Sequence, residues 1–518
     1  MSDRKREILF NESMNIDKRN EEFAYLRKNV FNAETPGLYP SRDFYIENPD
    51  NLATDENIVD ILGSEDGTFD IKVISEQGGN VNFHNLGSNS VSNTQQTGVD
   101  YECGTFTDDG VKICLDDDNL YTVNHQNSNV SLEGAFTGAR PDIAGFDGLY
   151  SWWLSNNEIY KATNGAPTIA FNNIGLTPLF VDFLGDQMVI FCQEAGSIIV
   201  LFWDKSDTDL FDKRIVIKNA KLIGGGVNDG TLQVVYGIGN SSNPKEHNGK
   251  IVVAAYDGEK FAEQNSIKAG DDALDYEAVT GFGIGSKVAL FSVQFNDDTH
   301  NPDLYKNYVY KIHPNGAIEV AYDPDDTTYG DTHIVRVFYN FICIAQRRNG
   351  VQTPVIWINE DNSDNYNDFD DDYTTTEYIT NFYGSIHNDH QLDGFCVSFE
   401  KLFEQVDETG PPVTGEELDV YFRVSERDDW TLLMNVNVEK VKDNVNKNRD
   451  QQTEYDDDNT GLPEQRYMIS SMPFTAEEGD GGPLPRFNEI QYKFVSKYGF
   501  TVTGAWQSYS YISRNTFN

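Results

Sequence analysis

The sequence predicts an all-β chain: about seven blades of a β-propeller, a C-terminal antiparallel β-sandwich, and a short N-terminal arm ahead of both. Three observations carry this expectation. Short apolar runs separated by Gly, Asn and Asp recur from about residue 56 to 381. Segments of helical period are scarce, which argues against α/β folds. After about residue 382 the recurrence stops and alternating runs replace it, as in antiparallel sheets with one covered face.

Five paired runs define the recurrence: 149–154 with 158–160, 188–192 with 198–203, 232–236 with 251–256, 288–293 with 308–312, and 341–345 with 355–358. A turn signal precedes each: Asp147-Gly148, Gly185-Asp186, Asp229-Gly230, Gly285-Ser286 and Tyr339-Asn340. These signals lie 37 to 55 residues apart, bracketing the ~40–50 residues of a four-stranded blade. Two weaker units precede them, 58–63 with 69–74, and 101–104 with 111–115 and 120–123, which brings the count to about seven. The apolar runs are continuous over four to six residues, as strands covered on both faces require. A pair of β-sandwiches is the alternative arrangement of the same strands.

Residues 1–55 read as an arm. Within it Lys18–Asn29 has Phe23 and Leu26 three apart among charges, a spacing that predicts one short amphipathic helix. Pro36-Gly37 and Pro40 end it. An acidic linker, Asp361–Tyr373, follows the recurrent region, and the domain at 382–518 carries a polar insertion near 440–461 suited to ordering on a partner.

Composition narrows the function classes. The 518 residues carry 39 Lys+Arg against 84 Asp+Glu, a net charge of −45. Such a surface repels phosphates, so sequence-specific nucleic-acid binding is not expected, nor is adsorption to anionic lipid. No run approaches the ~18 apolar residues of a membrane span, and the segment after Met1 lacks a signal-peptide core. Cys103, Cys114, Cys192, Cys343 and Cys396 are scattered and odd in number, the pattern of core thiols in a protein made in a reducing cytoplasm.

No catalytic, cofactor or metal residues are nominated. The acidic runs Asp116–Asp118, Asp323–Asp326, Asp370–Asp372 and Asp456–Asp458 lack the order of a calcium loop and read as solvated turns. His387 and His390 have no nearby Cys or His to complete a zinc site. Gly224–Gly226 and Gly281–Gly285 resemble phosphate loops, but a strand and not a helix follows, so blade turns are expected there. Ser64–Phe69 approximates one sialidase-type box, once, and no nucleophile elbow is present. Trp152, Trp153 and Trp203 could stack on sugars, but at strand positions they read as core.

Both ends of the chain carry a pattern of their own. Met14-Asn15-Ile16-Asp17, Phe23–Leu26, Phe31-Asn32 and Ile58–Gly63 at the front, with 382–384, 395–399, 418–425, Asp429-Trp430, 486–494 and 504–506 at the back, resemble tailed-bacteriophage tail hub, nozzle and ring propellers of the packaged-DNA-stabilisation type. The resemblance implies a non-enzymatic virion protein without cofactor, in a multi-copy ring at the tail hub, nozzle or portal vertex. It would contact other tail or portal proteins and copies of itself, and help retain and conduct DNA. An acidic lining would repel DNA over a Debye length of ~8–10 Å. Host glycan or receptor binding at the tail periphery is the alternative.

Overall fold

Continuous runs of β-branched and aromatic residues broken by Gly and Asp favour extended strands joined by tight turns, and strands are what the chain forms. The computed structural model describes residues 4–8, 24–28, 30–31, 39–40, 45–46, 49, 52–53, 56–63, 71–86, 94–125, 129–206, 210–238, 250–268, 275–284, 288–296, 305–322, 329–338, 342–348, 351–359, 376–384, 389–399, 417–425, 427–437, 467–472, 485–497 and 502–511. Among them there are strands and turns but no helix. By internal contacts the chain divides into two compact units. One comprises Phe44–Ile318 with Tyr322–Ser363, the other Met1–Asp43 with Glu319–Ala321 and Asp364–Asn518.

The N-terminal segment contributes β1 (Arg4–Ile8), β2 (Ala24–Lys28), β3 (Val30–Phe31), β4 (Tyr39–Pro40) and β5 (Tyr45–Ile46). A series of antiparallel sheets follows, each built from consecutive strands. The first is β6 (Asn57–Leu62), β7 (Lys72–Glu76), β8 (Asn80–Asn85) and β9 (Thr94–Thr97). The second is β10 (Tyr101–Thr107), β11 (Gly110–Leu115), β12 (Asn119–Val123) and β13 (Val130–Ala135). The third is β14 (Ile143–Phe146), β15 (Ser151–Leu154), β16 (Glu158–Ala162) and β17 (Thr168–Asn172). The fourth is β18 (Pro178–Leu184), β19 (Gln187–Glu194), β20 (Ser197–Trp203) and β21 (Lys213–Lys218). The fifth is β22 (Ala220–Asn228), β23 (Thr231–Ile238), β24 (Lys250–Tyr256) and β25 (Phe261–Lys268). Next come β26 (Asp275–Ile284), β27 (Ala289–Asn296) and β28 (Tyr305–Ile312) in one antiparallel ladder, then β29 (Ile318–Tyr322).

The last sheet of this series joins distant parts of the sequence. It runs β30 (Tyr329–Val337), β31 (Ile342–Arg348), β32 (Val351–Asn359) and then β5, with Trp357 opposite Ile46 and Ile358 opposite Tyr45. The strand that immediately precedes the first sheet therefore completes the last one. Ile334, Cys343, Ala345 and Ile356 of the last sheet share one core with Ile58, Ile61 and Val73 of the first, so the series returns on itself. Repeated four-stranded antiparallel sheets closed in this way make the unit a β-propeller.

The five paired runs are the hairpins β15–β16, β19–β20, β23–β24, β27–β28 and β31–β32. Three turn signals are resolved as tight turns with positive φ, at Gly148, Gly185 and Asp229-Gly230, a conformation that glycine adopts without steric cost. Gly285-Ser286 and Tyr339-Asn340 lie outside the described residues.

The C-terminal unit adds β33 (Thr376–Thr380), β34 (Tyr383–Gly384), β35 (His390–Phe399), β36 (Glu417–Arg423), β37 (Thr431–Asn437), β38 (Tyr467–Met472), β39 (Arg486–Phe487), β40 (Glu489–Lys497) and β41 (Val502–Tyr511). One sheet has the order β1-β41-β35-β38, with β39 on β35. Another contains β2-β33-β40-β36-β37, with β34 on β40. Both supply one core, including Ile8, Phe395, Val397, Val502 and Ala505 from the first and Tyr378, Leu418, Val436, Tyr492 and Phe494 from the second. The helix expected within Lys18–Asn29 is not formed: Ala24–Lys28 is strand β2, paired antiparallel with β33. Pairing with a sheet outweighs the weak local preference of a single i, i+3 apolar pair. The acidic linker at 361–373 and the polar insertion at 440–461 lie outside the described residues.

Candidate functional site

The polar chemistry of the propeller unit concentrates along the first strands of its sheets and at the boundaries between neighbouring sheets. The first strand of each sheet packs close to those of its neighbours, and this crowding sets what side chains fit. In β22 the triplet Gly224-Gly225-Gly226 meets three obstacles. A Cβ on Gly224 would come within 2.2 Å of the Phe282 ring, one on Gly225 within 2.5 Å of Phe191, and one on Gly226 within 2.7 Å of the Asp182 carboxylate. The gap at Gly224 lets Phe282 of β26 meet Phe180 of β18 edge-on, with ring centroids 5.3 Å apart. On β26, a Cβ at Gly283 would lie 2.4 Å from the Val335 carbonyl oxygen of β30. These glycines are therefore neither phosphate loops nor the turns their sequence suggests. They are strand residues placed where no side chain fits.

Asp60 on β6 is the centre of a clasp. Its carboxylate accepts the Tyr101 hydroxyl of β10 at 2.6 Å, the Ile61 amide at 2.8 Å and the Arg336 guanidinium of β30. Arg336 also donates to the carbonyls of Val335 at 3.0 Å and Phe282 at 3.5 Å. One carboxylate thus ties the first sheet to the second and to the last. Burial, reinforced by the negative charge of Asp60, raises the Tyr101 phenol well above its ordinary value, so it remains a hydrogen-bond donor at neutral pH. Asp182 occupies the matching place in β18, accepting the Phe183 amide at 2.8 Å and the Val227 amide of β22 at 2.6 Å. Sequence reasoning nominated neither residue, although both sit in the same pentapeptide pattern, Val59-Asp-Ile-Leu-Gly63 and Val181-Asp-Phe-Leu-Gly185. Aligning the repeats on Val-Asp-x-Leu-Gly was the signal that could have found them.

A second cluster joins Glu56, Ser75 and His84, all buried. Glu56 Oε2 accepts the Ser75 hydroxyl and lies 2.7 Å from His84 Nε2, which is also 3.0 Å from Ser75 Oγ. The residue types match a hydrolytic triad, but the geometry does not. In a triad the carboxylate orients one imidazole nitrogen while the hydroxyl uses the other. Here both groups crowd Nε2, and Nδ1 has no hydrogen-bond partner. Ser75 has no exposed surface. Burial raises the Glu56 pKa, but hydrogen bonds from His84 and Ser75, the His84 charge and the Ala53 amide outweigh it and hold the carboxyl below its usual value. The group is an ionised anchor for two donors.

At each of five successive sheet boundaries a polar contact fastens one sheet to the end of the next sheet's third strand. Lys72 of β7 donates to the His125 carbonyl at 2.6 Å, past β12, and Lys112 of β11 to the Thr163 carbonyl, past β16. Lys205, past β20, pairs with Asp147 at 2.9 Å. Lys213 reaches Tyr256 Oη at 2.7 Å and the Gly258 carbonyl at 2.8 Å, at the end of β24. Gln233 reaches the carbonyls of His313 and Pro314, both at 3.1 Å, past β28. Burial depresses the Lys112 ammonium, against the raising effect of Glu133 and Asp109. The pins at His125, His313 and Pro314 satisfy carbonyls within partly or fully buried contacts, where an unmade hydrogen bond is costly.

The sequence-singled residues fall elsewhere. Trp152, Trp153 and Trp203 are buried, Trp152 edge-on to Trp203 at 5.8 Å, so none offers a sugar platform. In Asp116–Asp118, Asp117 accepts the Tyr121 hydroxyl at 2.6 Å and the Asn119 amide at 3.2 Å, while Asp118 accepts Arg140. These carboxylates hold a turn. His390 packs between Phe487 and Tyr509 at centroid distances of 5.3 and 5.1 Å, and burial lowers its pKa against the opposing effect of Asp389. His387, Ser64–Phe69 and the acidic runs at 323–326, 370–372 and 456–458 lie outside the described residues. Cys103, Cys114, Cys192 and Cys343 are buried free thiols. Burial pushes Cys114 and Cys192 up to about 12, which leaves them unreactive.

No family model matches the chain, and no curated protein matches it. Among solved structures it is similar to YCF48 bound to a D1 peptide, at 10% identity over 63% of this chain and 99% of that one, with a TM-score of 0.44. It is also similar to YCF48 from Cyanidioschyzon merolae, at 8% identity over 61% and 100%, with a TM-score of 0.43. The WD40 domain of Toxoplasma gondii coronin matches at 12% identity over 63% and 89%, with a TM-score of 0.37.

Proposed function

We propose that this chain is a non-enzymatic structural protein of a tailed-phage virion, one copy of a ring at the tail hub, nozzle or portal vertex that helps retain and conduct DNA. The observation that carries the structural reading is the use made of buried polar groups. Glu56, Ser75 and His84 are spent on one another, Asp60 on Tyr101 and Arg336 of neighbouring sheets, and Lys72 and Lys112 on backbone carbonyls across sheet boundaries. That arrangement stiffens a scaffold and leaves no accessible nucleophile or base among them.

The virion setting is supported by the resemblance of the chain's opening and closing runs to tail hub and nozzle propellers, and by the net charge of −45, which suits a conduit that must not grip phosphate. In this reading the sheets beginning at β6, β10, β14, β18, β22, β26 and β30 are seven blades, with β5 closing the seventh. The two sheets around the core of Phe395, Tyr492 and Phe494 form a β-sandwich. Neighbouring tail or portal proteins and further copies are its partners.

Mass spectrometry of purified particles from the source culture, with copy number scaled to the major capsid protein, tests the proposal. A low symmetric copy number is the expected result. Absence from particles overturns it and favours glycan or receptor binding at another location, which a glycan array would then register.

A further inference from the structure

The fourth strands of the propeller sheets differ in charge in a way that singles out one of them. β9 reads TQQT, β13 VSLEGA, β17 TIAFN and β25 FAEQNSIK. None of these carries net positive charge. β21 reads KRIVIK, with three basic residues and no acid. It is the last strand of its sheet and pairs with β20. Its side chains alternate. Lys213, Ile215 and Ile217 are half-buried, with both isoleucines on the core shared with β22 and β23, while Arg214, Val216 and Lys218 are exposed. Val216 exposes 46% of its surface, and Lys221 just beyond is exposed too. Among the described residues Arg214 has one loose ion pair, to Glu194 at 3.8 Å, and Lys218 and Lys221 have none.

Lysines at a sheet edge guard against indiscriminate strand pairing, but that need applies equally to β9, β13 and β17, which are not so guarded. The basic face of β21 calls for a more specific account. A chain of net charge −45 repels its own copies over most of its surface, and copies that associate need a basic element to place against that acidity. We infer that the exposed face of β21, Arg214, Val216 and Lys218 with Lys221, docks on the acidic surface of a second copy of this chain. The contact is heterologous, one surface against a different one, which is the kind of contact that closes into a ring. The inference rests on the multi-copy reading above for its setting, but not on the virion location.

Sedimentation velocity of the full chain at about 50 mM and about 500 mM salt tests it, because screening separates the two conditions. Wild type is expected to self-associate at low salt and dissociate at high salt. Arg214→Glu, Lys218→Glu and Lys221→Glu combined should weaken low-salt association by about tenfold or more. The milder triple Gln variant, with its melting temperature measured alongside, should weaken it without loss of fold. A wild-type chain that stays monomeric at low salt overturns the inference, as does association untouched by the Gln variant. Equal binding of an unrelated acidic protein overturns the choice of a second copy as occupant. Self-association through β21 by a chain absent from virus particles would sink the virion reading alone. A chain present in particles but indifferent to these substitutions would sink this inference alone.

Discussion

The propeller sheets and the two C-terminal sheets use the same kind of strand but join it differently. From β6 to β28 the strands of each sheet are consecutive in sequence and pair in that order, and polar pins then fasten sheet to sheet. In the two sheets of the C-terminal unit only β36 and β37 pair as consecutive strands among the described residues, and other neighbours are remote: Arg4–Ile8 lie opposite Tyr509–Ala505, and Leu26 lies opposite Ile379. That unit shares one apolar core between its sheets, with polar ties inside it such as Tyr492 to Gln507 at 2.7 Å and Gln491 to the Thr380 carbonyl at 2.7 Å. Local pairing needs little loop closure, so its stability is distributed among sheets. Remote pairing concentrates the entropic cost of closure in a few strands. The two units should therefore fail in different ways.

The largest effect is expected at the clasp. Asp60→Ala removes the acceptor shared by Tyr101 and Arg336 and should destabilise the propeller unit by about 3 kcal/mol, at the low end for a broken buried pair because Arg336 is one-third exposed. Urea unfolding of variant and wild type measures it, and a change below about 0.5 kcal/mol would refute the clasp. Ile8→Ala should cost about 2–3 kcal/mol in the C-terminal unit by emptying a buried site on an edge strand. Hydrogen exchange should show protection falling in β41 and β35 while β11 and β19 keep theirs. Equal loss in both units would dissolve the distinction drawn between them.

Gly283→Ala should cost about 1–3 kcal/mol, because the obstacle is backbone that cannot step aside. Gly145→Ala, which meets the Val181 methyl at 3.0 Å, should cost less, and thermal melts of the two would rank them. The smallest effect belongs to Glu56→Gln, about 1–2 kcal/mol. Glu56 has a lowered folded pKa, so its stabilisation is present above its ordinary value of 4.5 and lost as pH falls through the folded value. The Gln variant should lack that component of acid sensitivity. Identical acid titrations of stability for variant and wild type would remove Glu56 from the account.

How legible the chain was depended on where the pairing partner lay. The hairpins β15–β16 and β19–β20 could be read because both strands and their turn fall within one window. Of the first strands only β6 and β10 were read, as the runs 58–63 and 101–104, and the fourth strands were not. Runs such as Ile143–Phe146 or Thr168–Asn172 are short, glycine-bearing or polar on the exposed side, and only neighbouring sheets make them strands. The same limit explains β2, whose partner lies more than 300 residues away. The clasp at Asp60 was hidden among 84 acids, since composition cannot tell a solvated carboxylate from one that holds three elements.

By itself the sequence determined the all-β class, the repeated hairpins and the charge, because alternation, turn residues and counts are local properties of the chain. Tertiary structure alone decided that β5 completes the last sheet of the series, that Gly224 and Gly283 lie in strands where no side chain fits, and that Ser75, His84 and Glu56 form an anchor without triad geometry. Each of those outcomes depends on which distant atoms approach within a few ångströms, and no local pattern encodes that distance.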